Sequence, residues 1–180
     1  MLDGWTPYAI IAGVALVLVV VTVVLARIAW RRQVRRYLVG LIGRREALGA
    51  ALKTAESSVR TLAGGTVDEL IAFVADGSEE RRTFAEIAER MRIQTAELAD
   101  LALPKKLWPL ADSLQAAAQS LADQIGGVGD STGEAVLDAL LALDLEPARA
   151  SLGEADAHIA SASTEYGLVD SAVYGGGLYI

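Results

Sequence analysis

Residues 9–26, Ala-Ile-Ile-Ala-Gly-Val-Ala-Leu-Val-Leu-Val-Val-Val-Thr-Val-Val-Leu-Ala, hold no charged side chain, and Arg27, Arg31, Arg32, Arg35 and Arg36 follow at once. Wound as an α-helix at about 1.5 Å per residue, the stretch reaches about 27 Å, close to the ~30 Å hydrocarbon core of a bilayer. Trp5 and Tyr8 precede it and Trp30 follows it, where aromatic rings favour the membrane–water interface. The reading is a single transmembrane helix. A buried core helix is the other way to hide these residues, but it would need apolar cover on every side, more than a chain of this size provides.

The flanking charges set the expected topology. A secretory signal places its positive charge ahead of the apolar run; here residues 1–8 carry only Asp3, whereas residues 27–45 carry seven arginines and no acid. Arginines at the end of a span stay on the cytoplasmic side. Residues 1–8 are therefore expected to form a short extracytoplasmic N-terminus, 9–26 the span, and the remainder a cytoplasmic part, which places the chain in a cell inner membrane.

The formal charge of −7 conceals a split: residues 1–45 sum to +6 (seven Arg, one Asp) and residues 46–180 to −13 (nine Lys and Arg, twenty-two Asp and Glu). The basic part is drawn to anionic lipid, and the acidic part is repelled by lipid and nucleic acid alike. Nucleic acid is thus not an expected partner. With no cysteine, disulfides, thiolate metal sites and cysteine nucleophiles are excluded.

Residues 27–45 read as an amphipathic juxtamembrane helix, with Ile28, Val34, Tyr37, Leu38, Leu41 and Ile42 near one face and arginines on much of the rest. Such a helix either continues out of the bilayer or turns along its surface. Arg27, Arg31, Arg32, Arg35 and Arg36 are the lipid-binding candidates, although the same charges would also serve simply to fix topology.

From residue 46 to 166 the apolar spacing is helical and interrupted. Leu48, Leu52, Ala55, Val59 and Leu62 form a heptad seam that Gly64-Gly65 ends. Thr66-Val-Asp-Glu69 is a capping box opening a short helix expected to turn Val67, Leu70, Ile71 and Val74 inward. Ser78 caps a longer helix with Phe84, Ile87, Met91, Leu98 and Leu101 on one side. A further helix starts near Pro109, with Leu110, Leu114, Ala118, Leu121 and Ile125 as its stripe, and Gly126–Asp130 reads as a connection. Ser131-Thr-Gly-Glu134 is a second capping box, ahead of Val136, Leu137, Leu140 and Leu141; a last helix begins near Pro147 with Leu152, Ala155 and Ile159. Short loops between helices predict an all-α, antiparallel bundle. The seam at 48–62 is too short to favour the alternative, an extended coiled coil. Alanine-rich stripes bury little area, so modest stability and self-association of the bundle are expected.

Residues 167–180 form a glycine-rich apolar tail ending in Gly175-Gly-Gly-Leu178-Tyr179-Ile180. Three adjacent glycines resist helix formation, at a cost of about 1 kcal/mol each. The terminal triplet can add to a partner's sheet edge or fold back on the bundle. Trp108, beside Lys105 and Lys106 at a helix break, is the other partner-binding candidate; it is otherwise a core residue or a second membrane contact.

Catalytic chemistry finds little footing. The single histidine, His158, shares a helix face with Glu154, but the di-iron bundle pattern needs Glu-x-x-His at a spacing of three, twice. Gly126-Gly-Val-Gly129 lacks the spacing of a dinucleotide loop. Glu79, Glu80, Glu86 and Glu89 with Arg81, Arg82, Arg90 and Arg92 read as a solvated face laced by pairs such as Glu86–Arg90. No catalytic residue, metal ligand or cofactor is expected. The sequence points to a non-enzymatic, membrane-anchored scaffold or adaptor. The alternative is an accessory subunit of a membrane or envelope complex, whose span would pack through the small pair Ala9 and Gly13.

Overall fold

A computed structural model describes the backbone of residues 6–75 and 78–168, and the side chains of Val14, of residues 16–75 and of residues 78–168. The described residues are helical apart from turns and short connections, with no strand among them. The chain divides into two compact units, Met1–Tyr37 and Leu38–Ile180. Helix α1, Thr6–Ala63, contributes to both: the seam, the arginine segment and the apolar run are one uninterrupted helix. Nothing between residues 6 and 63 breaks it, because no proline interrupts the helix beyond Pro7, in its first turn, and the glycines there stand singly.

In the first unit, every described large aliphatic side chain from Val14 to Leu25 is exposed, between 46% and 67%. Among the described residues no helix is long and apolar enough to cross a membrane. Of the uncharged run 9–26, the side chains of residues 9–13 and of Ala15 lie outside those described.

The second unit holds the rest of α1 with α2 (Val67–Val74), α3 (Glu79–Ala99), α4 (Trp108–Asp130), α5 (Ala135–Leu141) and α6 (Glu146–Tyr166); a 3-10 turn at Lys105–Leu107 leads into α4. The four long segments form an antiparallel bundle. Arg44 of α1 pairs with Glu97 near the end of α3, and Arg45 and Glu56 of α1 pair with Asp156 and Arg149 of α6. Helix α4 packs between α3 and α6. The core is built from the expected stripes: Leu48, Leu52 and Ala55 from α1, Phe84, Ile87 and Met91 from α3, Leu110, Leu114, Leu121 and Ile125 from α4, and Leu152, Ala155 and Ile159 from α6. Helix α1 supplies Leu38, Leu41 and Ile42 as well, so the bundle begins within the arginine segment.

Two expected helix starts occur as read. Thr66 and Glu69 form the reciprocal capping box of α2, and the Ser78 hydroxyl accepts from the Arg81 amide. At the other end, Gly167 turns left-handed at φ 68° and closes α6, letting the Leu168 amide donate to the Ser163 carbonyl at 2.8 Å.

Four readings are corrected. Gly126–Asp130 is the last stretch of α4 rather than a connection. Helix α3 runs beside this stretch: a β-carbon on Gly129 would make ordinary contact with the Ala85 backbone at 3.6 Å, and one on Gly126 would displace the tip of Arg92, 2.8 Å away. Burial of Ile125 and Val128 on the α4 stripe offsets the poor helix propensity of the glycines. Ser131 opens no helix; it ends α4, its hydroxyl donating to the Gly127 carbonyl, and α5 starts without a side-chain cap. Helix α2 buries Phe73, with Leu70 and Val74 half-covered, while Val67 and Ile71 face outward. Finally, Arg81 is not on a solvated face but is 3% exposed. It lies three residues before Phe84 and seven before Ala88, on the buried stripe of α3.

Candidate lipid- and partner-binding surfaces

The five lipid-binding candidates lie in the first unit and all are exposed. Arg27, Arg31 and Arg35 recur every fourth residue and form one row along α1; Arg32 and Arg36 form a second. Arg32 and Arg36 share one stretch of the α1 surface with Leu25, Ile28, Ala29, Gln33 and Tyr37. Guanidinium groups therefore stand beside apolar side chains. The remaining two arginines of the segment serve another purpose. Arg44 donates to Glu97 at 2.7 Å, and Arg45 grips Asp156 with two nitrogens at 2.6 and 2.5 Å. These are bundle cross-links, and the bidentate one fixes α1 against α6.

Trp108 opens α4 and is half-exposed. Its indole Nε1 donates to the Leu103 carbonyl at 3.1 Å, and the Lys105 ammonium stands 5.9 Å from the ring centroid. The indole is thus held by the turn it caps and not by the core, one face screened by a cation. Lys106 beside it is tied to Glu165 at the end of α6. That bond, with the charge of Glu165, raises the Lys106 pKa above its ordinary value. The other partner-binding candidates, Leu178, Tyr179 and Ile180, lie outside the described residues.

At the opposite end of the bundle sits the feature sequence reasoning missed. The Arg81 guanidinium donates to the carbonyls of Gly129 and Ser131, where α4 ends, and to that of Phe73 in α2 at 3.5 Å. It also lies 5.7 Å from the Phe73 ring centroid, and that ring meets Phe84 edge-to-face at 5.9 Å. Carbonyls at a helix C-terminus carry a partial negative charge, so a buried cation there satisfies acceptors that would otherwise stay unpaired. Arg81 joins α2, α3 and α4 at one point.

Other charge-bearing candidates disperse. His158 and Glu154 are both exposed on α6, and among the described residues no group of three or more ligand side chains could hold a metal ion. Glu86 and Arg90 do not lace a surface row; with Ala47, Ala50, Ala51, Thr54, Thr83 and Ile87 they line an open groove of about 300 Å³ between α1 and α3. Arg149 is paired with Glu56 and Glu146, and both hold its pKa above the ordinary value. Compared with family models, curated proteins and solved structures, the chain matches none.

Proposed function

We propose that the chain is a non-enzymatic, single-pass membrane adaptor: residues 9–26 span the bilayer, the arginine rows bind anionic headgroups, and the acidic bundle offers a docking surface to another protein on the cytoplasmic side. The observation that carries the anchor is the exposed aliphatic wall of α1 from Val14 to Leu25, every described large side chain of which is open to its surroundings. Water-soluble monomers rarely leave an apolar patch beyond a few hundred Å² uncovered. Within the continuous uncharged run 9–26, lipid is the cover that needs no further protein. The abrupt change to arginine supports the orientation, with residues 1–8 outside.

The docking role rests on Trp108, held half out of the bundle by a local hydrogen bond, and on the apolar triplet Leu178, Tyr179 and Ile180. Alkaline carbonate extraction of membranes tests the anchor: the full chain stays in the pellet, whereas a Val17→Arg, Val20→Arg variant is released. Release of the parent chain would refute it. Ala9 and Gly13 favour a second reading, an accessory subunit whose span packs against other helices. Gly13→Leu separates the two, since a lone anchor tolerates it and a packed subunit loses its partners.

A further inference from the structure

Among the described residues of the second unit, seven large apolar side chains are exposed, and four of them belong to the two shortest α-helices. Val67 and Ile71 stand 72% and 60% exposed on α2, and Leu137 and Leu141 stand 38% and 86% exposed on α5. Each pair is four residues apart, so each helix turns one apolar ridge outward while its other face, through Phe73 or Val136, enters the core. Helix α2 connects α1 to α3 and α5 connects α4 to α6, and both therefore lie at the bundle end remote from Leu38. Arg81 ties that end together by bridging α2 to the terminus of α4.

The charge around the ridges is mostly negative, with Asp130 and Glu146 paired to Arg92 and Arg149 and the other carboxylates in excess. The connecting segments 64–80 and 130–147 contain five carboxylates each and no lysine or arginine. The connection at the other end, 100–108, contains one aspartate and two lysines. This asymmetry decides what can cover the ridges. A second copy meeting this end with its own would bring the same negative charge, and the tail 169–180, with Asp170 as its only charged side chain, supplies no cation. Anionic lipid and nucleic acid are repelled. We infer that the α2–α5 end of the bundle docks a cationic amphipathic helix of a partner protein, whose apolar residues cover Val67, Ile71, Leu137 and Leu141 while its lysines or arginines meet the surrounding carboxylates. This rests on the adaptor reading and gives the partner its chemistry.

The test uses the full chain in zwitterionic nanodiscs, titrated by fluorescence anisotropy with short labelled peptides. One is a Leu/Lys helix with its leucines on one face, one is the same composition scrambled, and one is a Ser/Lys peptide of equal charge. The amphipathic peptide should bind best, and Ile71→Ser combined with Leu141→Ser should weaken it about tenfold or more, since two exposed aliphatic contacts are removed. Ile93→Ser, an exposed site on α3, should leave it unchanged. Equal binding of the three peptides, or an unaffected Ile71→Ser/Leu141→Ser variant, would overturn the inference by reducing the surface to a polyanion. Concentration-dependent dimerisation lost in that variant would also overturn it and make a second copy the occupant. Carbonate extraction touches none of these residues: peptide binding without membrane retention sinks the anchor alone, and retention without peptide binding sinks the docking face alone.

Discussion

Replacing Arg81 by methionine removes the cation that joins three helices while filling most of the space of its stem. A hydrogen bond to a charged group contributes about 1.5–3 kcal/mol net. The contact with the Phe73 carbonyl, at 3.5 Å, sits at the limit of hydrogen bonding, which leaves the Gly129 and Ser131 carbonyls as the principal acceptors. Two such bonds amount to about 3–6 kcal/mol, offset in part because methionine needs no desolvation of a charge. The expected loss is about 3 kcal/mol, a drop in Tm on the order of 10 °C for a domain of this size. Arg81→Lys keeps the charge but not the planar fork, and should fall between the two. Urea titration of the detergent-solubilised chain, followed by circular dichroism at the helical minimum, reads the shift in midpoint. An Arg81→Met protein within about 0.5 kcal/mol of the parent, a normal surface-site effect, would refute the claim that this cation holds the end of the bundle.

Other substitutions test smaller parts of the fold. Gly127 and Gly153 are exposed within helices, and a β-carbon at either would meet nothing within 4 Å; Gly127→Ala and Gly153→Ala should each stabilise the protein by about 0.5–1 kcal/mol, seen as a higher urea midpoint. Glu165 raises the folded-state pKa of Lys106, so the stabilisation from that pair is complete below the unfolded lysine value and disappears as pH climbs through the folded one. Lys106→Met should therefore lie slightly below the parent in Tm at neutral pH and merge with it in alkali beyond the lysine range. A difference that grew with pH would contradict the pairing.

The long elements were legible because their signals are local and repeated. Stripes such as Leu110, Leu114, Ala118, Leu121 and Ile125 on α4 mark a buried face without reference to the rest of the chain, and the Thr66 and Ser78 caps mark where α2 and α3 start. What escaped depends on a neighbour. Gly126 and Gly129 look like part of a loop until α3 is seen to run beside them. The stripe of α2 was misphased because Phe73 finds its place only against Phe84 and Arg81. Arg81 itself sits among Glu79, Glu80 and Arg82, where a charge reads as solvated; its position on the Phe84–Ala88–Met91 stripe was the available clue. Of the proposed surfaces, the arginine rows and Trp108 were visible as composition. The exposed ridges of α2 and α5 were not, since apolar residues at helical spacing look the same whether they face a core or a partner.

The net charge of the chain is a poor guide to its attraction to lipid, because it sums arginine rows in the first unit with acidic connections in the second. Helix α3, of 21 residues, separates the α2–α5 end from the end that carries Leu38 and Lys105 by about 30 Å. Ionic screening at physiological salt decays over about 8 Å, so carboxylates at the far end are several screening lengths from the near one. The arginine rows are continuous in sequence with that near end. Their attraction to anionic headgroups should then be independent of the acidic connections, even though these outweigh them in the sum. Native mass spectrometry of detergent-released protein measures this directly as retained phosphatidylglycerol over phosphatidylcholine. Replacing Arg31, Arg32, Arg35 and Arg36 by glutamine should abolish the preference, whereas Asp68→Asn with Asp138→Asn should leave it intact. If neutralising the two aspartates strengthened lipid retention appreciably, the two ends would be coupled through the field of the whole protein, and the assignment of separate lipid and partner surfaces would fail.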